Sequence, residues 1–436
     1  MTAAMTDIEY DFDVIVIGGG VAGAVCAHQL ATAGRDVLLV ERGAEPGGKN
    51  LSGGVFYCRI MQELFPTFLQ DAPVERRITR NCLSFLNAAS LVNIDYWDAR
   101  LAEPVNAVSV LRARLDPWLA ARAEDAGVTV MSGVKVDALL REGGAITGIR
   151  AGDDELRARV VVAADGVNSF IARDAGLRAQ EPTKHLAVGV KSVIRIGEDE
   201  VRRRFNVEGD QGVAYAVVGD CTQGVAGGGF LYTNTDSISI GVVLRLDDLV
   251  AKKRTSSEVH DHFLAHPAVR GFLTGGELLE YGCHLVAEGG RAMQHDLVHD
   301  GLVLIGDAAG FTLNTGFTIR GMDLAAGSAK AAAEAIDEAL SRGDVSREGL
   351  MGYLTRYKES FVGKDMDTYA RAPEFLETPE MYKEAGELLA DVLYNVYNLD
   401  LSPRRRLTAT AGNALKRSPL TIRRLATIGY RAMRAL

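Results

Sequence analysis

Apolar and polar positions near the start of the chain follow the pattern of a β–α–β unit. Residues 13–17 form a short apolar run that ends in three glycines at 18–20, as a buried parallel strand entering a tight turn would. Residues 21–33 have helical composition, and a second apolar run at 36–40 leads to Glu41. The pattern therefore predicts two parallel strands joined by a helix.

The rest of the chain divides into strand-like and helical regions. A strand, a helix over 112–126 and another strand are predicted between residues 108 and 130. Over 134–162, apolar and polar residues alternate around glycine-containing turns, which predicts an antiparallel meander. The run 302–305 predicts one more buried strand, and the chain from Gly316 onward is mostly helical in composition. Alternating segments that predict a separate mixed sheet span 188–196, 212–218, 227–233 and 237–246.

Composition places the chain among soluble globular proteins. Of its 436 residues, 47% are hydrophobic and 24% are charged, which excludes disordered and coiled-coil classes. Its longest apolar stretches, about six to eight residues, fall short of the roughly 20 that a spanning helix requires. The first 13 residues carry acids where a secretory signal carries lysine or arginine, so a cytoplasmic location is expected.

The cysteines and histidines show no metal-binding spacing. Five cysteines are widely separated along the chain, and eight histidines are scattered. Zinc and iron–sulfur sites need closely spaced ligands. The sequence therefore predicts no metal site and buried, reduced thiols.

Charge is distributed unevenly between the body and the end of the chain. Nine of the 48 basic residues follow Asp400 and none of the 57 acidic residues does, so the first 400 residues carry −18 and the last 36 carry +9. An acidic body argues against general nucleic-acid binding. The basic end is a candidate contact for an anionic partner or surface.

The strongest motif is Gly18-x-Gly20-x-x-Gly23, set between the first strand and its helix. In such a motif the first glycine permits the turn, the second lets backbone N–H groups approach a pyrophosphate, and the third lets helix and strand pack closely. Glu41 ends the next strand, where a carboxylate accepts hydrogen bonds from an adenosine ribose. Together these residues predict a dinucleotide site.

Two later motifs indicate which dinucleotide binds. Asp165-Gly166, followed by Ser169, resembles the DGxxS signature of flavoprotein hydroxylases and their relatives, and Gly306-Asp307 resembles the later strand-plus-GD motif of that family. The resemblance implies FAD, with Asp307 on the ribityl chain and a following helix N-terminus facing the flavin pyrimidine ring. A helix dipole suits the negative charge that collects there on reduction.

The predicted fold is α/β: a Rossmann-like FAD-binding domain of the hydroxylase and glutathione-reductase type, an inserted mixed β-sheet domain and a helical C-terminal region. The FAD-binding domain is expected to comprise residues 10–177 and 291–345. The mixed-sheet domain, for the substrate, is expected at 178–290, and the helical region at 346–436.

Further segments resemble one branch of these flavoproteins, the family of FixC and electron-transfer flavoprotein:quinone oxidoreductases. The similar segments are 47–55, 110–114, 306–325, 364–369 and 372–377. The resemblance implies an FAD protein that receives electrons from the subunits of a partner electron-transfer flavoprotein and passes them to a quinone. It also implies a small, separate ferredoxin-like subunit.

The same resemblance implies roles for individual residues. Arg114 would pair with the pyrophosphate, an exposed helix arginine being the alternative, and Val136 would present backbone groups to the adenine. Lys49 and Asn50 are candidates for the reactive edge of the ring, where a cation or amide stabilises reduced flavin; solvated loop residues are the alternative. The residues expected around the ribityl chain and pyrimidine are Gly306, Asp307, Gly316 and Phe317.

Two departures from the family pattern keep other functions open. No cysteine follows Cys283, so a ferredoxin-type cluster is either supplied by a partner or absent. Gly310 and Asn314 stand where flavin hydroxylases usually carry a histidine and a proline, respectively, which disfavours an NAD(P)H-dependent hydroxylase. A prenyl reductase that resembles the geranylgeranyl reductases is the other alternative.

The last residues predict an amphipathic cationic helix. From Thr421, apolar residues such as Ile422, Ile428 and Met433 share one side, and arginines share the other. This helix could lie on an anionic membrane surface as a peripheral contact, dock on an acidic ferredoxin-like partner, or pack on the acidic body of its own chain.

Overall fold

The computed structural model describes residues 9–48, 54–294 and 296–436. The β-strands, in chain order, are β1 (Phe12–Ile17), β2 (Val37–Glu41), β3 (Gly54–Tyr57), β4 (Val74–Asn87), β5 (Ser90–Trp97), β6 (Ala107–Val110), β7 (Thr129–Ser132), β8 (Ala138–Glu142), β9 (Ala145–Ala151), β10 (Asp154–Ala163), β11 (Leu186–Arg195), β12 (Gln211–Gly219), β13 (Gly227–Thr233), β14 (Ser237–Arg245), β15 (Glu277–Ala287), β16 (Val298–His299), β17 (Leu302–Leu304), β18 (Leu313–Asn314) and β19 (Ile319–Arg320).

The α-helices, in chain order, are α1 (Val21–Thr32), α2 (Arg59–Leu64), α3 (Phe68–Asp71), α4 (Arg112–Asp125), α5 (Phe170–Asp174), α6 (Glu198–Phe205), α7 (Leu246–Ala251), α8 (Ser256–Ala265), α9 (Pro267–Leu273), α10 (Met322–Arg342), α11 (Arg347–Leu350), α12 (Gly352–Glu359), α13 (Phe361–Thr368), α14 (Ala372–Leu376), α15 (Glu384–Tyr397), α16 (Leu407–Arg417) and α17 (Ile422–Ala435). The α/β architecture predicted from the sequence is confirmed.

The first sheet is mainly parallel, in the order β16-β17-β10-β1-β2-β7. Val14, Ile15, Val16 and Ile17 of β1 are all buried, as is typical of a parallel strand in the middle of a sheet that is covered on both faces. Helix α1 packs against both α4 and α10. The predicted meander extends this sheet through the antiparallel pairs β8–β9 and β9–β10.

The second sheet follows the order β15-β11-β14-β13-β12-β4-β6-β3, with β5 paired to β4. It therefore includes β3 to β6 from residues 54–110, a region that the sequence-based division placed in the first part of the FAD-binding domain. The difference comes from long-range pairing: β4 runs parallel to β12, more than 120 residues further along the chain. Helices α6, α8 and α9 cover one face around the buried side chains of Phe205 and Phe263.

The terminal helix α17 packs on the body of its own chain. Ile428 and Ala435 are buried against Phe375, and Arg424 forms an ion pair with Glu380. Of the predicted apolar side, however, Ile422 and Met433 are 74% and 79% exposed. The amphipathic helix thus buries only part of its apolar surface.

Two further observations concern the described part of the chain. Its helices include none that is long and apolar enough to cross a membrane. Four of the cysteines are buried thiols, as predicted, whereas Cys283 is exposed because it lies on the edge strand β15.

Candidate active site

A cavity of about 650 Å³ lies where β1, β2 and β10 end. Ligands of open α/β sheets bind at the carboxyl ends of the strands, because the loops and helix N-termini there face outward. Of the residues predicted from the sequence, those that line the cavity are Gly18, Gly20, Glu41, Val136, Asp165 and Asp307.

The glycine motif brings the N-terminus of α1 against this cavity. Gly18 has φ +107°, and a Cβ there would lie 2.4 Å from the carbonyl oxygen of Ala164. A Cβ on Gly23 would lie 1.9 Å from the Gly18 carbonyl oxygen, so the third glycine permits the helix to pack on the strand end. Gly20 lines the cavity, where unpaired N–H groups of the first helical turn favour an anion.

Glu41 is held at the rim of the cavity by backbone donors. Its carboxylate accepts hydrogen bonds from the N–H of Gly19 at 2.9 Å and of Gly43 at 2.6 Å. A carboxylate has about four lone-pair positions. The half-buried side chain of Glu41 can therefore still accept hydroxyl donors from a molecule in the cavity.

The arginine of this cavity is Arg112 and not Arg114. Arg112 lines the cavity, and its Nε and Nη2 both donate to the buried Asp116 at 2.6 Å. A Cβ on Gly20 would lie 3.3 Å from Arg112 Nη2. Arg114 does not line the cavity: its side chain is 63% exposed and pairs with Glu75 at 3.0 Å. Residues two apart on a helix face different sides, which separates the two arginines.

Two carboxylates face the cavity from the other motifs. Asp165 Oδ2 accepts a hydrogen bond from the N–H of Ile171 at 3.0 Å, while Asp165 Oδ1 is buried without a partner. Desolvation raises the pKa of Asp165, and it raises the pKa of Asp307 against the opposing effect of Arg112. The neighbouring Gly306 lies behind the wall, where its N–H donates to Ser328 Oγ at 3.1 Å.

A second cavity of about 770 Å³ adjoins the first. Glu288, Asn314 and Ile319 line both cavities. The walls of the second cavity are mostly apolar, and they include Leu83, Phe85, Ala216, Phe230, Val243 and Ile428. Gly316 and Phe317, predicted beside Asp307, line this second cavity instead, and Phe317 is 65% exposed.

A family model described as an FAD binding domain matches residues 11–358. The chain belongs to this family. It is an FAD-dependent oxidoreductase.

Relatives within this family align with nearly the whole chain. It is 44% identical over 395 residues to the probable electron transfer flavoprotein-quinone oxidoreductase YdiS of Escherichia coli K12, covering 90% of this chain and 92% of YdiS. It is 39% identical over 390 residues to FixC of Salmonella typhi, covering 89% and 91%. The family resemblance seen in the sequence is confirmed.

A solved structure shares the fold. The geranylgeranyl bacteriochlorophyll reductase-like protein of Thermoplasma acidophilum has a TM-score of 0.70 and 21% identity, with 96% of this chain and 99% of that chain covered. At this identity the comparison concerns the fold alone.

The residues of the first cavity fit FAD. A glycine turn at a helix N-terminus, the Arg112 cation and the Glu41 carboxylate match a pyrophosphate and a ribose. The unpartnered Asp165 Oδ1 is an acceptor that a bound hydroxyl or N–H would satisfy. The helix that faces the cavity is α10, whose start at Gly321 and Met322 lines the wall, and the Gly306–Ala309 turn precedes it.

Several predicted residues fall outside this arrangement, and others were missed. Lys49 and Asn50 lie outside the described residues. Arg112 and Glu288 were not predicted; the Arg112–Asp116 spacing of four residues on one helix was the signal that could have identified the arginine. Among described residues, no group of three or more histidine, cysteine, aspartate or glutamate side chains is placed to hold a metal ion.

Replacing Glu41 with alanine is expected to weaken FAD binding about tenfold. A hydrogen bond to a charged group contributes about 1.5 kcal/mol or more, and the ribose would lose this acceptor. Flavin retained after dialysis, measured by absorbance, checks the expectation. Glu45→Ala, at an exposed position of the same loop, is the matched control. If Glu41→Ala and Glu45→Ala retain the same amount of flavin, Glu41 does not contribute to FAD binding.

Proposed function

We propose that this chain is a FixC-like electron-transfer oxidoreductase that takes electrons from an electron-transfer flavoprotein into FAD and passes them to a quinone. The observation that carries this proposal is the apolar cavity that joins the flavin cavity at Glu288, Asn314 and Ile319. An isoprenoid quinone has an apolar ring and tail, so it gains free energy on entering such a cavity. The names of YdiS and FixC agree with this proposal.

Each part of the first cavity has a defined role under this proposal. Bound FAD supplies reversible two-electron chemistry. Arg112, oriented by Asp116, and the N-terminus of α1 bind the pyrophosphate, while Glu41 binds the ribose and Asp307 the ribityl hydroxyls. The N-terminus of α10 stabilises negative charge at the pyrimidine ring. The apolar second cavity excludes water and holds the quinone against the ring.

The C-terminal region provides a route for a lipid-soluble substrate. Ile428, Met433 and Leu436 of the terminal segment line the second cavity. Residues 397–409 are all exposed and combine apolar with basic side chains. We define these residues as the C-terminal basic surface; its large apolar members are Tyr397, Leu399, Leu401 and Leu407, and its cations are Arg404, Arg405 and Arg406. This combination favours peripheral contact with an anionic membrane.

The variant Leu399→Ser, Leu401→Ser, Arg405→Gln, Arg406→Gln is expected to bind anionic vesicles at least about tenfold more weakly. Each basic residue near such a surface contributes about 1 kcal/mol, and the leucines add apolar contact. Arg404 is retained because it donates to the carbonyl oxygens of Asn398 and two other residues at the end of α15. Cosedimentation with phosphatidylserine-containing vesicles measures the effect.

The control for that experiment is Leu278→Ser, Leu279→Ser on β15, where the leucines are 58% and 41% exposed. This control is expected to bind vesicles like the unchanged chain. Equal binding by all three proteins would contradict the membrane contact.

Anaerobic reduction of the bound flavin tests the function itself. Reduced electron-transfer flavoprotein should bleach the flavin faster than NADPH does, and a water-soluble quinone should restore the colour. Fast bleaching by NADPH alone would favour the hydroxylase. Reoxidation by geranylgeranyl substrates and not by quinone would favour the prenyl reductase, whose substrate would suit the same apolar cavity.

A small ferredoxin-like partner is part of the proposal. The positive C-terminal region would suit an acidic partner of this kind. Coexpression with neighbouring reading frames and affinity purification should recover a protein with iron–sulfur absorbance. Recovery of the flavoprotein subunits without such absorbance would remove the ferredoxin-like partner and leave the rest of the proposal in place.

A further inference from the structure

A carboxyl group at the junction of the two cavities has no role in the FAD binding proposed above. Glu288 follows the end of β15 and lines both cavities. Its backbone N–H donates to the carbonyl oxygen of His185 at 2.8 Å, which fixes the start of the side chain. Resting on the quinone function above, we propose that Glu288 is the catalytic proton donor to the quinone.

A hydrogen-bonded amide orients the Glu288 carboxyl. Asn314 Oδ1 accepts a hydrogen bond from the N–H of Gly316 at 2.8 Å, so Asn314 Nδ2 is directed at Glu288. That nitrogen donates to Glu288 Oε2 at 3.2 Å. Since Asn314 and Glu288 both line both cavities, the carboxyl is held where a molecule at the flavin edge would meet it.

The surroundings leave a substantial fraction of Glu288 protonated near neutral pH. Desolvation raises the pKa of Glu288 to about 7, while the bond from Asn314 and the charge of Arg245 act in the opposite direction. A group with a pKa close to the working pH gives and regains a proton readily. The titratable and charged side chains that line the second cavity with Glu288 are Lys184, His185, Arg245, Glu374, Glu377 and Tyr382.

The proposed step balances electrons and protons. A quinone needs two electrons and two protons to become a quinol. When bound, anionic reduced FAD would supply the two electrons together with one proton, as a hydride equivalent. The Glu288 carboxyl supplies the second proton as its O–H bond breaks and a quinol O–H bond forms. The resulting carboxylate accepts the hydrogen bond from Asn314 and then regains a proton from solvent.

Glu288→Gln keeps the size of the side chain and removes its acidic proton. Quinone-driven reoxidation of the reduced holoenzyme is expected to slow about 100-fold, the lower end of the usual effect of losing a general acid. Reoxidation by ferricyanide, which accepts electrons without protons, is expected to be unchanged, as is reduction by the electron-transfer flavoprotein. Glu359→Gln, at an exposed position that lines neither cavity, is the matched control.

A second readout does not depend on activity. Infrared spectroscopy of the oxidised holoenzyme should show a protonated carboxyl band that disappears as the pH rises through about 7 and that Glu288→Gln lacks. The rate of quinone-driven reoxidation should fall over the same pH range in the unchanged chain only.

The outcomes separate this inference from the function on which it rests. If the unchanged chain reduces no quinone, the proposed function fails. If it reduces quinone and Glu288→Gln does so at the same rate and with the same pH profile, the role of Glu288 is overturned. Equal slowing with quinone and ferricyanide would also overturn it, because that result indicates a structural effect. Absence of the carboxyl band from the unchanged chain would do the same.

Discussion

Arg112→Ala is expected to lower the affinity for FAD about 100-fold, whereas Arg114→Ala is expected to leave it unchanged. Arg112 lies beside Gly20 in the flavin cavity and is oriented by two hydrogen bonds to Asp116. Its loss removes charge-assisted contacts to the pyrophosphate, which contribute about 2 to 3 kcal/mol. Arg114 is directed away and pairs with Glu75.

Fluorescence titration of the deflavinated protein with FAD measures both affinities. Arg112→Lys retains the charge but not the bidentate hydrogen-bonding geometry of the guanidinium group, so an intermediate loss of FAD affinity is expected. Urea unfolding of each apoprotein separates loss of binding from loss of folding, because Arg112→Ala also removes the ion pair with Asp116. If Arg114→Ala loses more FAD affinity than Arg112→Ala does, Arg114 and not Arg112 is the residue that contacts the pyrophosphate.

Lys191→Met is expected to raise the free energy of unfolding of the apoprotein, by at most about 5 kcal/mol at pH 7 or below. Lys191 lies on β11, is 2% exposed, and its Nζ has no hydrogen-bond partner. Burial lowers the pKa of this side chain from 10.5 to about 7, and each unit corresponds to about 1.4 kcal/mol. Methionine has a similar volume and no charge to desolvate.

The sign of the pH dependence follows from the same shift. Between about pH 7 and 10.5 the unfolded chain holds the Lys191 proton and the folded chain does not, so this residue makes stability rise with pH across that window. The stability advantage of Lys191→Met should therefore shrink as pH rises from 7 to 10. Urea unfolding at several pH values measures it. Lys252→Met, at an exposed position, is the control, and a Lys191→Met protein less stable than the unchanged chain at pH 7 would contradict the expectation.

Local sequence determined the first β–α–β unit, because its elements depend on contacts between near neighbours. The glycine motif, the end of β2 at Glu41 and the later Gly306-Asp307 turn all occupy the places that their spacing indicated. Strands of the second sheet between 186 and 245 were also predicted, because the alternation of apolar and polar residues along them indicates that one face is buried.

The division of the chain between the two sheets could not be predicted in the same way. β3 to β6 pair within the second sheet because β4 meets β12, a contact between segments that are far apart in sequence. Pairing partners depend on the free energy of the whole arrangement and not on the strand alone.

The sequence by itself determined the cofactor class, the main fold and several of the residues that line the first cavity, because spacing within one strand–turn–helix segment places those groups locally. Only the tertiary structure decided that Arg112 rather than Arg114 faces the cavity, and that Glu288 and Asn314 meet at the junction of two cavities. Those choices depend on which side of a helix or strand is covered by distant parts of the chain. Burial of that kind is a property of the folded molecule.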